Sequence, residues 1–282
     1  MAKIPFYLVR AFTSNPLEGN PAGVVLNAEM LNDEEMQKIA YEIGASETAF
    51  VMEGGKADHM VRFFSPEKEV SLCGHATIAT FYAMSEMGLV RKEKLTVETR
   101  AGIINVEMTG KRVFMEQMPP IFKEANVERR EVAAALGIRE EDMAELPMEC
   151  VSTGLFSLKV PVKNLEAMGK MKPDFDMVKE LCIKTGVGSI FPFTFETVHE
   201  ECMVHARCFA PLYGVNEDPV TGTANGALGA YLKKHGLLKK NPYRAEQGVE
   251  IGRKGIVIVE VNDRIKVGGE ACLVMRGEIE IS

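Results

Sequence analysis

Apolar and polar positions alternate through most of this chain, and the period changes to a helical one in a few separate stretches. Residues 4–12 alternate and are rich in β-formers, so they read as a strand. Gly19-Asn20-Pro21-Ala22-Gly23 then turns the chain into a second apolar run at residues 24–26. Asn32 or Asp33 is positioned to cap a helix reaching about Ile43, with Met36, Ile39, Ala40 and Ile43 on one stripe and Gly44 at its end. Strands are predicted at 46–51 and 60–64, with Ser65-Pro66 closing the second. Residues 75–88 depart from this amphipathic habit. Ala76, Ile78, Ala79, Phe81, Tyr82, Ala83, Met84 and Met87 leave almost no polar face, the pattern of a helix enclosed by strands.

Strands follow at 95–99, 103–108 and 113–117 around glycine turns, and Met118-Pro119-Pro120 breaks the pattern as a linker. A short helix is predicted at 128–136, strands resume from Cys150 through residues 156–162, and a helix is expected at about 174–185.

The second half repeats the first. Arg62-x-Phe64-Ser65-Pro66 recurs as Arg207-x-Phe209-Ala210-Pro211, a displacement of 145 positions. Gly74-His75-Ala76 through Gly88-Leu89 recurs as Gly222-Thr223-Ala224 through Gly236-Leu237, with the glycines 14 apart in both copies. The loop before the second helix is three residues longer and carries Asn216-Glu217-Asp218-Pro219. A repeat of this length is too long for a solenoid and implies two related domains, 1–120 and 121–282, with the final strand able to pack back on the first. Each long helix starts on glycine and small polar residues, so each presents backbone N–H groups suited to an anion, and a cleft between the domains is the expected site.

Composition narrows the partners. The chain has 282 residues, 46% hydrophobic and 26% charged, with a net charge of −7, which supplies no basic surface for nucleic acid. No apolar window approaches the roughly 18 residues of a membrane span, and six cysteines without CxxC spacing fit reduced thiols, so a cytoplasmic location is expected. His199, Cys202, His205 and Cys208 recur every third residue, but on a strand the two cysteines and the two histidines face opposite sides. No metal site is expected.

Five motifs together resemble the phenazine-biosynthesis isomerase (PhzF-like) family, within the diaminopimelate-epimerase-like fold. They are Gly19-Asn20-Pro21-Ala22-Gly23-Val24, Ser46-Glu47-Thr48-Ala49-Phe50, Arg62-Phe63-Phe64-Ser65-Pro66, Leu72-Cys73-Gly74-His75-Ala76-Thr77 and Glu217-Asp218-Pro219-Val220-Thr221-Gly222-Thr223-Ala224, in order across nearly the whole chain. The resemblance implies an α/β (α+β) fold of two pseudo-symmetric domains, each a mostly antiparallel strand barrel or sheet wrapped around a central helix. It also implies a homodimeric, cofactor-independent isomerase that moves a proton between carbons of a small amino or hydroxy carboxylate. Glu47 would be the acid/base, suited to it if desolvation raises its pKa. His75 and Asp218 carry over as site residues, and the amides near Gly74, Gly222 and Thr223 would hold the substrate carboxylate. Thr223 stands where the family pattern has serine.

Related racemases and epimerases of this fold use a cysteine at each helix start. This chain keeps Cys73 but has Thr221 at the second position, and a hydroxyl is too weak an acid to replace a thiol, which disfavours two-thiol racemisation. A Cys73-based racemase or epimerase and a non-catalytic binding protein are the alternatives; the plain reading of Cys73 is a small buried residue packing the turn.

Overall fold

Residues 74–85 carry no Lys, Arg, Asp or Glu, and in the computed structural model, which describes residues 2–281, His75 through Met84 are all buried in one helix. A helix with no polar face has to be surrounded. The surrounding elements, in chain order, are β1 (Ala2–Ala11), β2 (Asn20–Val25), α1 (Asp33–Ile43), β3 (Glu47–Glu53), β4 (His59–Phe64), β5 (Glu69–Val70), the helix itself as α2 (Gly74–Glu86), β6 (Lys94–Thr99), β7 (Gly102–Thr109) and β8 (Arg112–Glu116). The chain continues as β9 (Ile121–Glu124), α3 (Arg129–Leu136), β10 (Glu149–Ser152), β11 (Phe156–Pro161), α4 (Leu165–Lys170), α5 (Phe175–Thr185), β12 (Ser189–Thr194) and β13 (Val204–Ala206). It ends with α6 (Gly222–Lys234), β14 (Tyr243–Gln247), β15 (Gly255–Val261), β16 (Ile265–Gly269) and β17 (Ala271–Ile281). None of the helices among the described residues is long and apolar enough to cross a membrane.

Two compact units result. One takes in the chain through Glu116 together with the segment from Gly268 onward, and the other is Gln117–Val267. In the first, β17 pairs antiparallel with β1, from Ala11↔Ala271 to Ala2↔Ile281, and β1 pairs with β2. β2 runs parallel to β3 through the α1 crossover, β3 is antiparallel to β4, and β4 is parallel to β6 through the α2 crossover. β6, β7 and β8 form an antiparallel meander. Helix α2 packs on β1, β2, β3, β8 and β17.

The second unit repeats that order of connections. β10 and β11 are antiparallel, β11 and β12 are parallel through α4 and α5, and β12 and β13 are antiparallel. β13 and β14 are parallel through α6, and β15 returns antiparallel to β14. Helix α6 packs on β10, β11 and β15 and buries Ala224 through Leu232. The fold is therefore mixed and mostly sheet, with the enclosed helix in each unit on a parallel crossover. The helix starts predicted at Asn32 or Asp33, and at 128 and 174, agree with observed starts at Asp33, Arg129 and Phe175; Asn32 and Glu35 form a reciprocal capping box.

The repeated Arg-x-Phe-x-Pro motif has a mechanical role in both units. Arg62 donates from Nε and Nη2 to Glu69 at 2.8 and 2.7 Å, and its guanidinium lies 5.2 Å from the Phe64 ring centroid. Arg207 donates from the same atoms to Glu217, both at 2.8 Å, and lies 5.0 Å from Phe209. In each copy the arginine ties down the loop leading into the enclosed helix, and Arg207 also donates to the Met168 carbonyl at 2.8 Å.

The 199–208 segment differs from the expected strand. Cys202 N donates to His199 O in a turn, and only Val204–Ala206 is extended, so strict alternation fails. The two histidines, assigned to one face, do meet, on a carboxylate. Glu246 accepts from His199 Nδ1 at 2.6 Å and His205 Nδ1 at 2.8 Å, and His205 Nε2 lies 2.8 Å from Glu250. Burial opposes a charge on His205, yet hydrogen bonds to Glu246 and Glu250 outweigh it and lift its pKa to about 9.

Two predictions follow from this packing. A group with a raised folded-state pKa stabilises fully below its unfolded value, here 6.5, and loses that contribution as pH rises through about 9. Thermal melts should therefore show the margin of wild type over His205→Gln shrinking as pH is raised across that window; a constant margin would contradict an imidazolium at this position. In α6, a Cβ on Gly229 would lie 2.8 Å from Val261 Cγ2 and 3.1 Å from Val259 Cγ1. Overpacking of about 1–3 kcal/mol outweighs the roughly 0.5–1 kcal/mol that alanine gains in a helix, so urea denaturation should find Gly229→Ala less stable than wild type.

Candidate active site

Glu47 opens β3, Cys73 is the N-cap of α2, and Gly74 and His75 are its first two residues. The N-cap side chain makes no capping hydrogen bond, so it does not compete for the amides of the first turn. The register of β3 beside β2 brings Glu47 to this helix start, where its Oε2 lies 3.3 Å from His75 Nε2. The Glu47 side chain is 23% exposed and that of His75 9%, so the carboxylate is the part that solvent reaches.

The hydrogen-bond directions around His75 can be assigned. Ser46 Oγ donates its single proton to the Pro21 carbonyl at 3.1 Å, so toward His75 Nε2, also 3.1 Å away, it accepts. Nε2 therefore carries hydrogen and points at two acceptors, Ser46 Oγ and Glu47 Oε2. Cys73 Sγ lies 3.4 Å from Nδ1 and 3.9 Å from Nε2, over the face of the ring and out of line with the in-plane lone pair of either nitrogen. The imidazole thus carries a thiol against its face and a carboxylate at its Nε2 edge.

Asp218, Gly222 and Thr223 belong to the second unit and come together around the start of α6. Thr221 is the N-cap, the position matching Cys73, and its side chain makes no capping bond either. Its hydroxyl donates instead to Asp218 Oδ2. Gln247, fully buried at the end of β14, holds this turn with its whole carboxamide. Nε2 donates to the Asp218 carbonyl at 2.9 Å and to Thr221 Oγ1 at 3.1 Å, while Oε1 accepts from Thr221 N at 3.1 Å and Asn225 Nδ2 at 3.0 Å.

The carbonyls of the first turn of α6 have donors of their own. Thr153 Oγ1 donates to Thr223 O at 3.1 Å, Lys159 Nζ to Ala224 O at 2.7 Å and Tyr243 Oη to Asn225 O at 2.7 Å. Each such bond polarises its peptide group and makes the helix start more attractive to an anion. Lys159 is completely buried, and burial drives its pKa down to about 7.

The sequence reasoning missed Ser46 as a partner of His75, and missed Gln247 and Lys159. Ser46 lay inside a quoted motif, next to Glu47. Gln247 and Lys159 had no local signal, because their partners are 26 and 65 positions away.

A family model described as phenazine biosynthesis-like protein matches residues 9–277. The chain belongs to this family. It is 43% identical over 274 residues to the uncharacterized isomerase YfhB of Bacillus subtilis, covering 95% of this chain and 92% of that protein. The crystal structure of a PhzF-family phenazine biosynthesis protein from Bacillus anthracis superposes with a TM-score of 0.92 at 37% identity, with both chains fully covered. A hydroxyproline epimerase from Agrobacterium vitis shares the fold, with a TM-score of 0.63 at 13% identity over 98% of this chain and 92% of that one. The protein is a PhzF-family isomerase whose fold is shared with epimerases.

The assigned tautomer is open to measurement. Long-range proton–nitrogen spectra, recorded where the imidazole is uncharged, should show His75 carrying its proton on Nε2, and Nδ1–H signals would reverse the direction assigned through Ser46. Gln247→Leu removes the partners of the Thr221 amide and the Asp218 carbonyl. At about 1–3 kcal/mol for each of these two buried groups left unpaired, it should lower stability by about 2–6 kcal/mol in urea denaturation.

Proposed function

We propose that this isomerase moves a proton between carbons of a small amino or hydroxy carboxylate without a cofactor, with Glu47 as the acid/base. The observation that carries the reading is the half-open Glu47 carboxylate, held 3.3 Å from His75 Nε2 at the uncapped start of α2. As carboxylate it removes a proton from a substrate carbon, and as carboxylic acid it returns that proton to another carbon, so no net charge is transferred. His75, anchored by Ser46, orients the carboxylate and offers Nε2–H to the charge that develops on the substrate. Asp218, fixed by Thr221, binds a substrate amine or hydroxyl, and the amides at Gly74, Gly222 and Thr223 bind its carboxylate. The same reading includes a cytoplasmic homodimer with a small anionic ligand and neither nucleic acid nor membrane as partner.

One observation favours a second reading, a racemase or epimerase using the thiol: Cys73 Sγ is 3.4 Å from His75 Nδ1, within reach of a base. Against it, the matching position in the second unit is Thr221, whose hydroxyl is engaged by Asp218.

Hydrogen exchange from solvent D2O into the carbons of a panel of cyclic and acyclic amino and hydroxy carboxylates, followed by mass spectrometry, separates the two. Glu47→Gln should lower exchange by about 100-fold or more, the usual contribution of a positioned acid/base, while Cys73→Ala retains most of it. Exchange lost in Cys73→Ala and kept in Glu47→Gln would overturn the assignment in favour of the thiol.

A further inference from the structure

We propose that Glu47, Cys73 and His75 also form a capture site for a soft divalent cation of the Zn2+ class, and that the captured ion stops proton transfer by Glu47. The inhibitory part rests on the function proposed above; the binding part does not. The carboxylate, thiol and imidazole offer one donor atom each, all within 4.8 Å of one another.

The spacing suits a small tetrahedral ion. Bonds of about 2.0 Å to nitrogen and oxygen and about 2.3 Å to sulfur put neighbouring donors about 3.3–3.7 Å apart. His75 Nε2 is 3.3 Å from Glu47 Oε2, already at that separation, while Cys73 Sγ, 3.9 Å from Nε2 and 3.4 Å from Nδ1, lies over the imidazole face and reaches the ion by rotation about its own Cα–Cβ bond. The donor set points to the type of ion. Mg2+ and Ca2+ take all-oxygen shells, whereas thiolate with imidazole selects Zn2+ and its neighbours.

Charge also balances. One thiolate and one carboxylate neutralise a doubly charged ion, which offsets the unfavourable positive end of α2, and that same helix end favours the thiolate. Cys73 and His75 are each 8% exposed, and the more open Glu47 provides the route in and room for water as fourth ligand. On binding, the S–H bond of Cys73 breaks and its proton leaves to buffer. The His75 proton moves from Nε2 to Nδ1, freeing Nε2 for the metal. One proton is released per ion, and affinity rises with pH. The ion then occupies the carboxylate oxygen and the imidazole nitrogen that the isomerisation uses.

The test uses the full chain, reduced and freed of metal, titrated with Zn2+ against a chromophoric chelator and separately with Co2+ as an absorbing reporter. Wild type is compared with Cys73→Ser, Glu47→Gln and Cys272→Ser, the last removing a partly exposed thiol elsewhere. Wild type should bind one equivalent, release one proton and give a thiolate-to-cobalt charge-transfer band. Affinity should fall at least 10-fold in Cys73→Ser and in Glu47→Gln and stay unchanged in Cys272→Ser. Circular dichroism identifies a variant that fails to fold, in which case the remaining one decides. Unchanged affinity in both site variants, or a cobalt spectrum without the thiolate band, overturns the site. Deuterium exchange that persists at saturating Zn2+ overturns the inhibitory part. If no substrate exchanges even without metal, the proposed function fails while the titration still decides the cation site.

Discussion

A helix that is apolar on every side has to be enclosed, and each unit of this protein is built to enclose one. Burying residues 75–84 of α2 and 224–232 of α6 leaves each helix only its ends as polar surface. Side and main chain divide the work accordingly: the flanks hold the fold together, and the start offers backbone N–H groups. The strands contribute most where they pass alongside, as β1, β2, β3, β8 and β17 do around α2. Enclosure alone would leave the helix start ill-defined, since the residues just before it, 71–73 in one unit and 216–221 in the other, lie outside the sheet. The bidentate arginine–carboxylate pairs Arg62–Glu69 and Arg207–Glu217 supply that definition, each with its guanidinium over a phenylalanine two residues on.

Duplication has produced two helix starts with the same backbone and different chemistry. Both N-caps are extended residues that make no side-chain cap, Cys73 in one and Thr221 in the other. At the first, a thiol lies over the imidazole of His75 and a carboxylate faces its Nε2. At the second, a hydroxyl and a carboxylate are bound to each other and the turn that carries them is held by Gln247. This asymmetry separates the chain chemically from a pair of thiols acting on opposite faces of one carbon, while the fold is shared with an epimerase.

The second unit also buries charge, and the two ionisable groups at its centre behave oppositely. Lys159 has carbonyl and hydroxyl partners but no carboxylate, so burial dominates and favours loss of its proton. His205 sits between two carboxylates, so the pairing dominates and favours retention. Equal burial therefore gives opposite shifts, because what decides a buried group's state is whether an opposite charge is buried with it.

The sequence by itself determined the elements and the duplication. Capping residues, glycines and apolar periodicity act within a few positions, so the span Asp33–Ile43, the all-round apolar helix at Gly74 and the Arg-x-Phe-x-Pro repeat were legible from it. Glu47, Cys73 and His75 were legible too, as residue types in recognisable motifs. What they touch was not. Ser46 reaches His75 across 29 positions and Glu246 reaches His205 across 41, both set by which strands lie side by side and in which register. A local turn at His199–Cys202 shortens the strand expected there, although the two histidines still share a face and meet at Glu246. The tertiary structure alone decided the tautomer of His75, the role of Gln247 and the burial of Lys159, because hydrogen-bond direction and desolvation depend on neighbours that only folding brings within about 3 Å.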